Sequence, residues 1–183
     1  MSVFDLWLPI LLAGLASHVL STIAWTVLPH HKPEWNRLPI ENELQDLVQK
    51  HNVAPNQFMF PFAASGAECQ TEEFKQKQAK CTGMLVLWSS PLHMGKAIGF
   101  TLAFFLVAAF VMGYLGSIAL KPGAPFMRVF QFMTTAALLT HCAGIFPNAF
   151  WFRRRVAMEL VDGCVFAIAT GLIFAALWPN SQS

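Results

Sequence analysis

Charge is what this sequence has least of. Asp, Glu, Lys and Arg together make up 12% of its 183 residues and leave a formal net charge of +2. Outside Arg153, Arg154 and Arg155 there is no basic tract, so the chain lacks the positive surface that a nucleic-acid partner needs. Cysteine is scarce as well. Cys69, Cys81, Cys142 and Cys164 form no C-x-x-C pair, and neither they nor His30, His31, His51 and His93 fall at a recognisable metal-ligand spacing. No metal site is expected on that basis. Internal repeats and low-complexity tracts are missing too. So are the basic n-region and small-residue cleavage site of a signal peptide, and the first apolar run is therefore expected to be retained in the fold.

What is abundant is apolar surface: 55% of the residues are hydrophobic and the mean hydropathy is +0.49. Crossing ~30 Å of hydrocarbon takes about 20 apolar residues at ~1.5 Å each. Four stretches reach that length, 6–28, 97–120, 126–146 and 156–178. Trp7 and Trp178 then fall at one boundary and Trp25 and Trp151 at the other, as aromatic belts require of alternating spans. The pattern predicts an all-α membrane protein with four transmembrane helices in a compact bundle, a single membrane domain over 1–183 surrounded by lipid.

Lys32, Arg37, Lys50, Lys75, Lys77, Lys80, Lys96 and Arg153 to Arg155 fall on one side of these spans, and Lys121 and Arg128 on the other. The positive-inside rule puts loops 29–96 and 147–155 in the cytoplasm and both termini outside it. Thiols on the cytoplasmic side stay reduced, so Cys69 and Cys81 are expected to be free. The arginine triplet reads first as a stop-and-anchor signal and second as a contact for anionic lipid headgroups.

Loop 29–96, about 65 residues long, is broken by Pro29, Pro33, Pro39, Pro55, Pro61 and Pro91 and is too small for a separate core. It is expected to form a cap carrying short amphipathic helices. "IENELQDLVQK" sets Ile40, Leu44, Leu47 and Val48 on one helical face. "TEEFKQKQAK" offers Thr71 as N-cap and a Glu73–Lys77 pair at i,i+4. "FMFPF" and "GMLVLW" are strand-like but short.

The stretches "RLPIENELQDLVQKHNVAPNQFMFP" and "DGCVFAIATGLIFAALWP" carry a resemblance. The chain resembles a family of uncharacterised bacterial four-span inner-membrane proteins, in which an LP-x-E helix precedes a P-G-x-Y-x-x-P-like turn and the last span opens on Asp-Gly and closes on Trp-Leu-Trp-Pro. Here the turn reads "PNQFMFP" and the ending "ALWP". The resemblance implies a bacterial inner-membrane location, in which the orientation expected from the basic residues makes the termini periplasmic, and it implies no activity.

Asp162 stands alone among the apolar residues of the fourth span. An isolated charge deep in the bilayer costs roughly 2.5 to 3.5 kcal/mol on insertion scales, so a partner or a task is expected for it. At ~1.5 Å per residue from the cytoplasmic helix ends, Asp162, His141 and His18 reach depths that can meet. An Asp162–His141 pair, with His18 joining through a hydroxyl or a water, is the expected intramembrane cluster. Glu159, one turn nearer the cytoplasm, is expected to reach out toward Arg153 to Arg155. Small residues recur at i,i+4 in three spans: Ala13, Ser17, Ser21; Ala109, Gly113, Ser117; and Gly163, Ala167, Gly171, Ala175. Such ridges let helix backbones approach closely.

Three readings of function follow. The ridges favour a non-catalytic subunit, accessory protein or assembly factor of a larger membrane complex, or a homo-oligomer, with no cofactor expected. The second reading is a redox or ion-handling protein, with His18 and His141 as axial ligands of haem b or with Asp162 and His141 as a proton relay. The third, an enzyme acting on lipid or quinone, rests only on scattered His and Asp.

Overall fold

The computed structural model of the chain describes residues 1–180. It falls into two units, residues 1–36 with 93–180, and residues 37–92. Four helices of the first unit are long and apolar enough to cross a membrane, as the sequence predicts.

The first, α1 (Trp7–Thr26), is entered through a single tight turn, Val3–Leu6. The Ser2 hydroxyl accepts from the Phe4 amide at 3.2 Å, and Asp5 accepts from the Ser2 amide at 2.8 Å, so two amides that the helix start leaves free are satisfied. Two short helices of the second unit follow, α2 (Glu41–Lys50) and α3 (Glu72–Lys80). The remaining spans are α4 (Met94–Ala119), the continuous stretch from α5 (Phe126–Leu138) to α6 (Ile145–Phe152), and α7 (Ala157–Ala176).

Between α4 and α5, Gly123 adopts φ 74°, a left-handed turn position that suits glycine. Its amide donates to the Pro179 carbonyl at 2.8 Å, and the Trp178 indole donates to the Lys121 carbonyl at 3.0 Å. That end of the membrane unit is stitched to the end of α7.

The third span departs from expectation. It was expected over 126–146 with a loop over 147–155, but helix continues to Phe152. Pro147 ordinarily stops a helix, because its ring meets the carbonyl four residues earlier. Here the helix widens over Leu139–Ala143 into a π turn just ahead of that point, which accommodates the ring. The turn to α7 shrinks to the arginine triplet and Val156, with Arg153 in the left-handed region at φ 49°.

Helix α1 packs on α4 and α7, and α7 packs on α5. Leu6, Ala13, Val129, Met133, Ala137, Ala167 and Phe174 are fully buried between them. Glycines mark the closest approaches: a Cβ on Gly14 would press on the Leu106 backbone, and one on Gly163 on the His141 carbonyl. One on Gly171 would collide with the Thr134 hydroxyl and press on the Phe130 carbonyl. The small-residue ridge of α7 is thus spent on contacts within the chain.

The second unit corrects the all-α expectation. Strands β1 (Gln57–Phe60) and β2 (Gly83–Val86) pair antiparallel, Gln57 opposite Val86 and Phe60 opposite Gly83, with α3 inserted between them. The Phe60 ring lies over Gly83, 2.7 Å from where a Cβ would sit, so any larger residue there would have to displace the ring. Helix α3 starts as expected, with the Thr71 hydroxyl accepting from the Phe74 amide at 3.2 Å and Lys77 on Glu73 at 2.6 Å. Phe74 is the one buried side chain among the described residues of this unit.

Candidate functional site

The segment after α1, "LPHHKPEW", turns twice in quick succession. The Lys32 amide donates to the Pro29 carbonyl at 3.0 Å and the Glu34 amide to the His31 carbonyl at 3.0 Å, with Pro33 supplying the fixed φ of the second turn. These turns fold the chain back over the start of α7 and aim both imidazoles at Asp162. His30 Nε2 lies 3.0 Å from Asp162 Oδ1, and His31 Nε2 lies 2.8 Å from Oδ2.

His31 is flanked on its other side by Glu34, whose Oε2 is 2.7 Å from Nδ1. Its ring lies on the Trp25 indole, centroids 3.9 Å apart. His31 and Asp162 are buried, at 4% and 8% exposure, and His30 is partly so. Burial opposes a charge on His31. The hydrogen bonds to Asp162 and Glu34 outweigh it, and the pKa of His31 is raised above its ordinary 6.5. Both ring nitrogens face carboxylate oxygens, so the protonated ring donates to both.

The expected partner of Asp162 was His141; the structure gives it His30 and His31 instead. Asp162 sits about 8 Å along α7 from its first residue. At that depth a loop folded over the helix end can reach it. His141 and His18 each touch the Phe105 ring, with centroids 5.8 and 6.3 Å from it. His141 Nε2 and His18 Nδ1 are buried and have no hydrogen-bond partner among the described residues. The expected cluster is therefore divided, Asp162 at the helix end and the two intramembrane histidines against phenylalanine. An open-sided cavity of about 260 Å³ is lined by Asp162, Glu159, Thr140, His141 and aromatic rings including Phe105 and Trp25, with His18 outside its lining.

Two of the three arginines serve this region. Arg155 donates to the Pro33 carbonyl at 2.7 Å, holding the second turn against the α6–α7 connection. Arg154 pairs with Glu159 at 2.8 Å, as the sequence suggests for a carboxylate one turn inside the span.

His30, His31 and Asp162 form a group whose ligand-capable atoms all lie within 4.8 Å of one another. Ligand spacing could not reveal it, because Asp162 lies 131 residues from His31. The available signal was the His-His doublet between prolines just past a span, with a glutamate three residues after the second histidine. The thiols take no part: Cys69, Cys81, Cys142 and Cys164 are all free.

Comparison with known proteins finds no family model, no curated protein and no solved structure that matches this chain.

Proposed function

We propose that the chain is a non-enzymatic, multi-pass membrane protein that takes a cation, a proton or a metal ion, into the cluster of Asp162, His30 and His31. The observation that carries this reading is the convergence of these three side chains at a helix end, with Asp162 also lining an open-sided cavity. A carboxylate in a span marks an ion site by default. Each of its oxygens here meets an imidazole, a group that exchanges protons or binds metals near neutral pH. His141, lining the same cavity, continues the polar line inward. A compact bundle in a bacterial inner membrane with its basic loops inside, residues 37–92 belonging to the loop between the first and second spans, is part of the same reading. Hydropathy, the basic-residue asymmetry and the family resemblance support it.

The subunit reading rested on small-residue ridges, and Gly163, Ala167, Gly171 and Ala175 are occupied by contacts within the chain. We therefore place ion handling first. A relay is preferred over haem because Phe105 packs against both His18 and His141.

The test is reconstitution of the full chain in liposomes enclosing a pH dye or a zinc dye. Wild type should pass at least one cation faster than protein-free liposomes, and Asp162→Asn should lose most of that excess. Wild-type flux equal to that of protein-free liposomes for both cations overturns the reading.

A further inference from the structure

We propose that His30, His31 and Asp162 bind one divalent first-row transition-metal ion, with Glu34 orienting His31 and a fourth coordination position open to the cavity. The inference deepens the ion-handling reading by naming the cation, and it rests on that reading only for what the bound ion is for.

The donor set comes first. Two imidazole nitrogens and a carboxylate suit Zn²⁺ and its neighbours, for which His ligands sit at ~2.0–2.1 Å and carboxylate oxygens at ~2.0–2.2 Å. The three donor atoms already lie within 4.8 Å of one another, with separations of 3.0 and 2.8 Å between the carboxylate oxygens and their imidazoles. Binding replaces the protons on the Nε2 atoms with the ion and brings the three donors, now within 4.8 Å of one another, to the ~3.3 Å separations that bonds of about 2.0–2.1 Å give a tetrahedral site.

The next layer of contacts fits as well. A metal-bound imidazole donates its other N–H to a carboxylate or carbonyl, which fixes the tautomer and strengthens the ligand. Glu34 is at that position, 2.7 Å from His31 Nδ1. Trp25 stacked on the same ring fixes its plane, and Arg155 on the Pro33 carbonyl holds the turn that presents it.

Charge balance points the same way. Asp162 and Glu34 place two carboxylates around one imidazole, with side-chain exposures of only 11% and 10%. Buried charges call for compensation. A divalent ion with neutral histidines cancels two carboxylates.

Three protein ligands leave a tetrahedral ion one position short, the arrangement of sites that bind water or a further ligand rather than of closed structural sites. Asp162 also lines the cavity that Thr140, His141 and Glu159 share, so the open position has polar neighbours.

The experiment uses the full chain, purified in detergent and stripped with chelator. Co²⁺ is titrated while its visible absorption is followed, and bound Co²⁺ is then displaced by Zn²⁺. One Co²⁺ per chain with tetrahedral-type bands is expected. Asp162→Asn and His31→Gln should each lower affinity by more than a hundredfold, and Glu34→Gln by about 10- to 100-fold with the bands retained. His18→Ala should bind as wild type does. Because ligand variants can misfold, wild type alone supplies a second reading: its Tm should rise with Zn²⁺ and fall back on chelation. No Co²⁺ bands together with an unmoved Tm, or equal affinity in wild type, Asp162→Asn and His31→Gln, overturns the site. Metal bound without flux keeps the site and removes the ion-handling reading; proton flux without bound metal does the reverse.

Discussion

The His31 imidazole lies flat on the Trp25 indole, their planes 7° apart and their centroids 3.9 Å apart. Trp25 is in the last turn of α1, where the sequence suggests an interfacial anchor. The residue is also the floor for a ring that two carboxylates hold from its edges. A charged imidazole over an indole face also gains cation–π attraction.

Removing that floor should be felt at the site. Trp25→Ala is expected to destabilise the protein by about 1–2 kcal/mol, since stacking contributes ~0.5–1.5 kcal/mol beyond the area lost. Trp25→Phe should recover part of it. Thermal unfolding in detergent is the measurement, and equal Tm values for Trp25→Ala and wild type contradict the role.

The metal-free protein should show an alkaline loss of stability. His31 has its pKa raised above 6.5 in the folded chain, because its bonds to Asp162 and Glu34 outweigh the effect of burial. A group raised on folding contributes fully below its unfolded pKa and loses that contribution as pH climbs through the folded value. Tm of chelator-stripped wild type should therefore fall as pH rises from below 6.5, and His31→Gln should flatten the profile. A wild-type profile that rises with pH over this window contradicts it.

Helix contact between α5 and α7 should tolerate no added bulk at Gly171, where a Cβ would collide with the Thr134 hydroxyl. Gly171→Leu is expected to cost at least about 1–3 kcal/mol, the usual range for overpacking. Leu172→Ala, at a position 46% exposed, should cost less. Thr134→Ala should rescue part of Gly171→Ala in a double-mutant cycle. Independent, additive effects of these two changes rule out the contact.

Orientation can be read from two exposed thiols, Cys69 and Cys81. With the basic loops in the cytoplasm, a membrane-impermeant maleimide should leave both unlabelled in intact cells and modify both after permeabilisation. Labelling from outside reverses the orientation.

The membrane class, the four spans, the two short amphipathic helices, the second of them capped by Thr71, and the strand character of "FMFPF" and "GMLVLW" were legible in the sequence. Each depends on periodicity, length or caps within about twenty residues of chain, which local composition determines. Pro147 misleads as a terminator because the remedy, a π turn over Leu139–Ala143, is a backbone adjustment that residue type does not announce. That Asp162 needs a partner was also legible, since the cost of a lone carboxylate in a span is a property of the residue and its surroundings. Which partner it has was decided only by tertiary structure. Depth along a straight helix allowed His141, but the tight turns at Pro29 and Pro33 carry His30 and His31 back over the start of α7. Contact across more than a hundred residues depends on how a loop folds over a helix end, and no local pattern encodes that path.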